Sequence, residues 1–200
     1  MKTISRVYDT YAQARAAVAD VEAAGVPTSE VSLVANKYVS DEYAEVDDSS
    51  KASEGAGAGA GLGGAVGGGA GLLAGLGMLA IPGLGPVVAA GWLAALAVGA
   101  VAGAATGGLV GALIGAGIPD DHANVYSESV RRGGTLVSVR VNDREANRIQ
   151  AILDRHQPID PVQRGADYRK GGWTTFDPDA PAYMPTQGEI ERMRREDRAS

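Results

Sequence analysis

Short alternating and amphipathic stretches occupy the two ends of this chain, and a long run with no polar face lies between them. Residues 3–8 alternate as a strand. Asp9 or Thr10 can then cap a helix whose apolar face is Ala14, Ala17, Val18 and Val21, stopped by Gly25 and Pro27. Residues 31–35 predict a second strand, completing a βαβ unit of about 35 residues, the length such a crossover needs. Beyond the central run, residues 120–132 predict a helix with Ala123, Tyr126 and Val130 on one face, ended by Gly133 and Gly134. A strand over 135–141 follows. Asn142 or Asp143 caps a further helix in which Ala146, Ile149, Ile152 and Leu153 keep helical spacing, and Gln157 and Pro158 end it. Residues 159–162 predict a last edge strand, with Pro161 weakening it. With the central insertion set aside, the pattern is βαβ, a helix, then βαβ: an α+β, ferredoxin-like domain split by a hydrophobic insertion. The two halves can meet if the insertion is a hairpin whose ends return to one place.

The insertion itself runs 65 residues, 55–119, without a charge. Glycine recurs every fourth residue in two registers. Gly55, Gly59, Gly63, Gly67, Gly71 and Gly75 form one line; Gly91, Ala95, Gly99, Gly103, Gly107, Gly111 and Gly115 form the other. Positions four apart share one face of a helix, so each register predicts a smooth ridge for close helix contact. Glycine costs about 1 kcal/mol against alanine inside a helix, and close backbone approach must offset that cost. Residues 55–80 would span roughly 39 Å as a helix, and about 20 apolar residues cross a bilayer core. Ile81-Pro82-Gly83-Leu84-Gly85-Pro86 breaks the run, with Pro82, Gly83, Gly85 and Pro86 as the expected turn of a helical hairpin. The small-residue ridges suit membrane packing, and Trp92 near the turn suits an interface. Against insertion stands the low share of large apolar residues over 55–80, which makes a soluble assembly of such hairpins the alternative. A flexible spacer fits less well, because leucine and valine recur among the glycines where a linker would carry serine and charge.

Charge follows the same division. Of the net −6, the first 54 residues supply most, with five basic and ten acidic side chains, so no basic surface points to nucleic acid. Residues 37–54 form an acidic linker. The chain has no cysteine, which removes disulfides, thiolate metal sites and cysteine nucleophiles. The opening residues lack an apolar signal core, so both termini are expected in the cytoplasm, with the hairpin in the cytoplasmic membrane or, alternatively, in a soluble cytoplasmic assembly.

Chemistry is sparse. Gly59, Gly61 and Gly64 match a dinucleotide fingerprint, but 22 glycines lie between 55 and 117 and no strand precedes the match. His122 beside Asp120 and Asp121 lacks a second ligand one helical turn on, where Val125 and Tyr126 stand. The acidic residues Asp41, Glu42, Glu45, Asp47 and Asp48 lack calcium-loop spacing. No catalytic residue, metal or cofactor is therefore expected, and the chain reads as a structural homo-oligomer rather than an enzyme. Residues 164–200 predict a mostly disordered tail in which Trp173, Phe176 and Tyr183 could dock on a protein partner or on the chain's own domain.

Three stretches resemble a known family. They are Val7-Tyr8-Asp9-Thr10 with Ala14, Ala17, Val18 and Gly25; the Ile81 to Pro86 motif; and Gly117-Ile118-Pro119-Asp120-Asp121 running through Tyr126, Glu128, Val130 and Gly133 to Thr135-Leu136-Val137-Ser138-Val139. Together they resemble the general stress protein 17M-like family, which includes heat-induced stress proteins of the YflT type and longer bacterial proteins with a glycine-rich insertion. The resemblance covers about residues 3–157. It implies a bacterial stress-associated protein, often labelled a membrane protein, and supplies no catalytic residues. The resulting organisation is 1–36 and 119–163 as halves of one α/β domain, 55–118 as the hairpin and 164–200 as the tail.

Overall fold

A computed structural model describes residues 1–36, 77–81, 84–93, 96, 108–180, 186–188, 191, 192 and 195. Strand β1 (Lys2–Tyr8) leads into helix α1 (Tyr11–Ala23) through a capping box. Thr10 Oγ1 accepts from Gln13 N at 3.2 Å, and Gln13 Oε1 accepts from Thr10 N at 3.2 Å. Gly25, at φ +94, ends the helix in a conformation that L side chains rarely adopt. Strand β2 (Val31–Asn36) follows, and all six of its residues are buried.

The uncharged block then contributes two strands, β3 (Gly77–Ile81) and β4 (Gly85–Ala90). After them come helices α2 (Leu109–Gly115) and α3 (Asp120–Arg131), strand β5 (Thr135–Val141), and helices α4 (Asp143–Asp154) and α5 (Pro161–Lys170). The strands form one sheet in the order β1-β5-β2-β4-β3, and every neighbouring pair is antiparallel. Ser5 stands opposite Ser138, and Ser138 opposite Ser32. The Ser5 and Ser138 hydroxyls bond at 2.8 Å in the interior.

Both sheet faces are apolar, so both need cover. Ile4, Tyr8, Leu33, Val137 and Val139 point to one side, where α1 and α4 pack through Val18, Val21, Ile149 and Leu153. Val7, Val34, Val87 and Leu136 point to the other, covered by Leu113, Val125, Tyr126 and Val130 of α2 and α3. Helix α3 lies against the sheet with α2 and α5 beside it, which buries residues 125–130 in succession. The burial includes Glu128, whose carboxylate meets Arg131 Nη2 and Arg132 Nε, each at 2.6 Å. Two partners are what a carboxylate out of water requires.

The α+β class expected from the sequence holds. A ferredoxin-like order is not established by this sheet. β1, α1, β2, β5 and α4 trace a split βαβ path, but the expected strand over 159–162 is replaced. Ile159 N donates one bond to Val7 O at 2.8 Å, after which Asp160 Oδ1 accepts from Val162 N at 2.8 Å and Gln163 N at 2.9 Å and opens α5. Pro161 sits in the first turn, where its missing N–H is harmless. The stretch from Arg164, expected to be disordered, is thus helical through Lys170 and stays on the domain beyond it. Ser129 Oγ lies 3.1 Å from Tyr168 Oη, and Arg132 stacks 4.3 Å over the Tyr168 ring. Trp173 meets Tyr168 edge-on at 5.7 Å, and Phe176 is buried in the same cluster. Trp173 and Phe176 therefore pack on the chain's own domain; Tyr183 lies outside the described residues.

Candidate functional site

The turn expected at the centre of the uncharged block exists, but it joins strands. Ile81 stands opposite Gly85, Ala80 opposite Pro86, Leu79 opposite Val87 and Met78 opposite Val88. Pro82 and Gly83 lie outside the described residues. Pro86 has no N–H to give a ladder, and it is tolerated because it stands one residue past the last β2–β4 pair, Asn36 with Val87. Val87 and Val88 are β-branched neighbours that favour a strand over the second helix of the expected hairpin.

Several groups seat the block on the domain. Ser32 Oγ donates to Ala90 O at 2.7 Å. Gly91 then turns the chain at φ +89 so close to β2 that an added Cβ would lie 2.2 Å from Val31 O and 2.7 Å from Ser32 Cα. Only glycine allows that approach. The next residue, Trp92, donates from Nε1 to Glu30 O at 3.2 Å. Arg140 lies 4.5 Å over the Trp92 ring and reaches Glu30 Oε2 through Nε at 2.8 Å. Leu93 is fully buried beneath. Trp92, expected at a membrane interface, instead follows the glycine that ends β4 and packs on the domain.

These contacts take Gly91 out of the ridge expected at Gly91 to Gly115. Gly91 is a turn residue and not a helical one; Gly111 and Gly115 belong to the seven-residue α2, and a Cβ at Gly115 would meet nothing within 4 Å. Ala95, Gly99, Gly103 and Gly107 lie outside the described residues, as do Gly55, Gly59, Gly63, Gly67, Gly71 and Gly75. The transmembrane expectation is overturned: among the described residues, no helix is long and apolar enough to cross a membrane. Small residues carry little facial signal, so a four-residue glycine period does not separate helix from strand.

The two edges of the sheet differ. Along β1, successive outward carbonyls are occupied. Val7 O accepts from Ile159 N, while Ser5 O accepts from Arg6 Nη1 at 2.9 Å and from Tyr126 Oη at 3.3 Å. Burial pushes the Tyr126 phenol above its ordinary range, against the pull of Arg6, so it remains the donor. Arg6 is itself held by Asp154 at 2.6 Å. Along β3, among the described residues, the only ladder is with β4.

Elsewhere, a shallow groove of about 540 Å³ runs between α1 and α4, lined by Asp20, Ala23, Ala24, Arg148, Ala151, Ile152 and Arg155. Asp20 Oδ2 is met by His156 Nε2 at 3.0 Å and by Arg155 Nη2 at 3.5 Å. Arg148 makes no ion pair among the described residues. His122 stacks toward Tyr126 at 6.2 Å, and Asp120 Oδ1 accepts from Asn124, so the structure gathers neither into a ligand set. No group of three metal-ligating side chains stands together among the described residues.

No family model, curated protein or solved structure matches this chain.

Proposed function

We propose that the protein is a self-associating scaffold module, an α+β unit whose uncharged block joins copies without a bilayer. One observation carries the reading: the described part of that block includes a hairpin laid onto the sheet, whose outer strand β3 has a partner on one side only among the described residues. The contacts of Gly91, Trp92 and Leu93 support it by holding the hairpin firmly on the domain. Two differently tagged copies of the full chain, coexpressed and purified without detergent, should copurify; recovery of each tag alone would overturn the reading.

A second reading, binding of a partner by the α/β unit itself, draws on the α1–α4 groove. Arg148 and Arg155 beside the alanines Ala23, Ala24 and Ala151 suit an acidic helix. Polyglutamate should bind the full chain and lose that binding on replacing both arginines with glutamate; equal binding by wild type and variant would remove this reading. The bacterial stress setting rests on the motif resemblance alone. A protein level unchanged by heat shock would remove it.

A further inference from the structure

We propose that α3 and α5 form a docking site for an extended segment, filled in each chain by its own residues 174–180, and that associated copies exchange this segment. The inference rests on the self-association proposed above, which keeps two chains together, and adds a contact outside the uncharged block.

The seat is framed by α3 and α5. Gly165 lets α5 approach so closely that an added Cβ would lie 2.9 Å from Val125 Cγ2, and the Ser129 and Tyr168 hydroxyls join the same two helices. On α3, Asn124 is fixed through Nδ2, which donates to Asp120 O and to Asp120 Oδ1, each at 2.9 Å. Its Oδ1 serves the segment, accepting from Thr175 Oγ1 at 2.8 Å and from Phe176 N at 3.2 Å. Asn124 thus makes all four hydrogen bonds that its amide can form. Beside it Phe176, the chain's only phenylalanine, is buried with Val125 and Tyr168. A few placed polar groups next to an apolar seat are what hold a ligand in one orientation.

The segment is separable from the helix before it. Helix α5 closes through Gly171 N to Tyr168 O, Gly172 N to Arg169 O and Trp173 N to Tyr168 O, so it needs nothing that follows. Gly171 and Gly172 are exposed, and Gly172 stands at φ +85 in open space, which suits a hinge. Residues 174, 175 and 177–179 are exposed as well, leaving Phe176 as the buried anchor. Among the described residues, both hydrogen bonds that tie 174–180 to the rest of the domain end on Asn124 Oδ1.

The outside occupant that fits is a second copy. It carries the same Thr175-Phe176, so each contact of the closed chain is remade between copies and none is lost. A hinge followed by a segment with one buried anchor is the arrangement through which identical elements exchange.

The chain has no cysteine, so introduced thiols report without background. Full-length Asn124→Cys with one tag and Thr175→Cys with another, coexpressed and treated with a short bis-maleimide, should give a product carrying both tags in several-fold excess over products joining two like tags. Copurifying tags without that excess would overturn the exchange and leave self-association standing. Tags that do not copurify would overturn both. As a second measurement, full-length Phe176→Ala should bind a fluorescein-labelled peptide of residues 174–180 in an anisotropy titration. Wild type should bind it at least about tenfold more weakly, because its tethered segment competes at a roughly millimolar effective concentration. Adding Asn124→Ala to Phe176→Ala should abolish the binding. Equal binding by all three chains, or none by a Phe176→Ala chain that keeps the wild-type near-ultraviolet circular dichroism, would overturn the docking site.

Discussion

Replacing Gly91 with alanine gives the clearest test of how the uncharged block meets the sheet. Two costs add. A residue with a Cβ in the left-handed region costs roughly 1–2 kcal/mol, and Gly91 stands at φ +89. The new Cβ would also lie 2.2 Å from Val31 O and 2.7 Å from Ser32 Cα, both backbone atoms of β2 that no rotamer change can move aside. Overpacking of that kind costs about 1–3 kcal/mol, so the sum is about 2–5 kcal/mol. Gly25 is the internal control, since it has nearly the same φ, +94, and nothing within 4 Å of its Cβ. Gly25→Ala should therefore cost only the conformational part, about 1–2 kcal/mol. Urea unfolding of the full chain, followed by circular dichroism with the m-value checked for constancy, measures both. If Gly91→Ala costs no more than Gly25→Ala, β4 does not sit on β2 as described and the account of the block fails.

Other outcomes follow from the same contacts. Trp92→Ala removes the bond to Glu30 O and the Arg140 stack, and it should cost about 1–3 kcal/mol in urea and destabilise β4 selectively in hydrogen exchange. Glu128→Ala leaves Arg131 and Arg132 without their shared carboxylate; both arginines reach water, so about 1–3 kcal/mol is expected rather than the larger loss of a wholly buried pair. Phe176→Ala should cost about 3–5 kcal/mol and release residues 171–180 to protease, while an unchanged urea midpoint would show that the segment is not docked. Burial raises the phenol of Tyr8 above its ordinary value, against the lowering effect of Arg6. The unfolded phenol ionises near pH 10 while the folded one stays neutral, so this stability is full below about pH 10 and is lost as pH rises beyond it. Tyr8→Phe should flatten the fall in urea midpoint between about pH 9 and 11; an unaltered slope would assign the fall to other groups.

The ends of the chain were legible because their residues carry facial information. Ala14, Ala17, Val18 and Val21 on α1, and Ala146, Ile149, Ile152 and Leu153 on α4, are the buried positions that helical spacing marks. Strand β5 spans the residues its alternation indicates. The middle was not legible in the same way. Glycine and alanine satisfy a four-residue period without preferring helix, and the adjacent valines of Gly85–Ala90 were the better guide. Helix α5 starts at Asp160-Pro161, where proline is as compatible with the first turn of a helix as it is disruptive to the strand expected over 159–162. Nothing in a single sequence could have told that Ser5 O and Val7 O would be covered, since that depends on Tyr126 and Ile159 arriving from distant segments.

The most direct test of self-association through the uncharged block is light scattering of the full chain on a detergent-free size-exclusion column across a range of concentrations. The account predicts a particle heavier than the single 20.3 kDa chain at all but the lowest concentrations. A single-chain mass throughout, or a protein that leaves the pellet only with detergent, would contradict it.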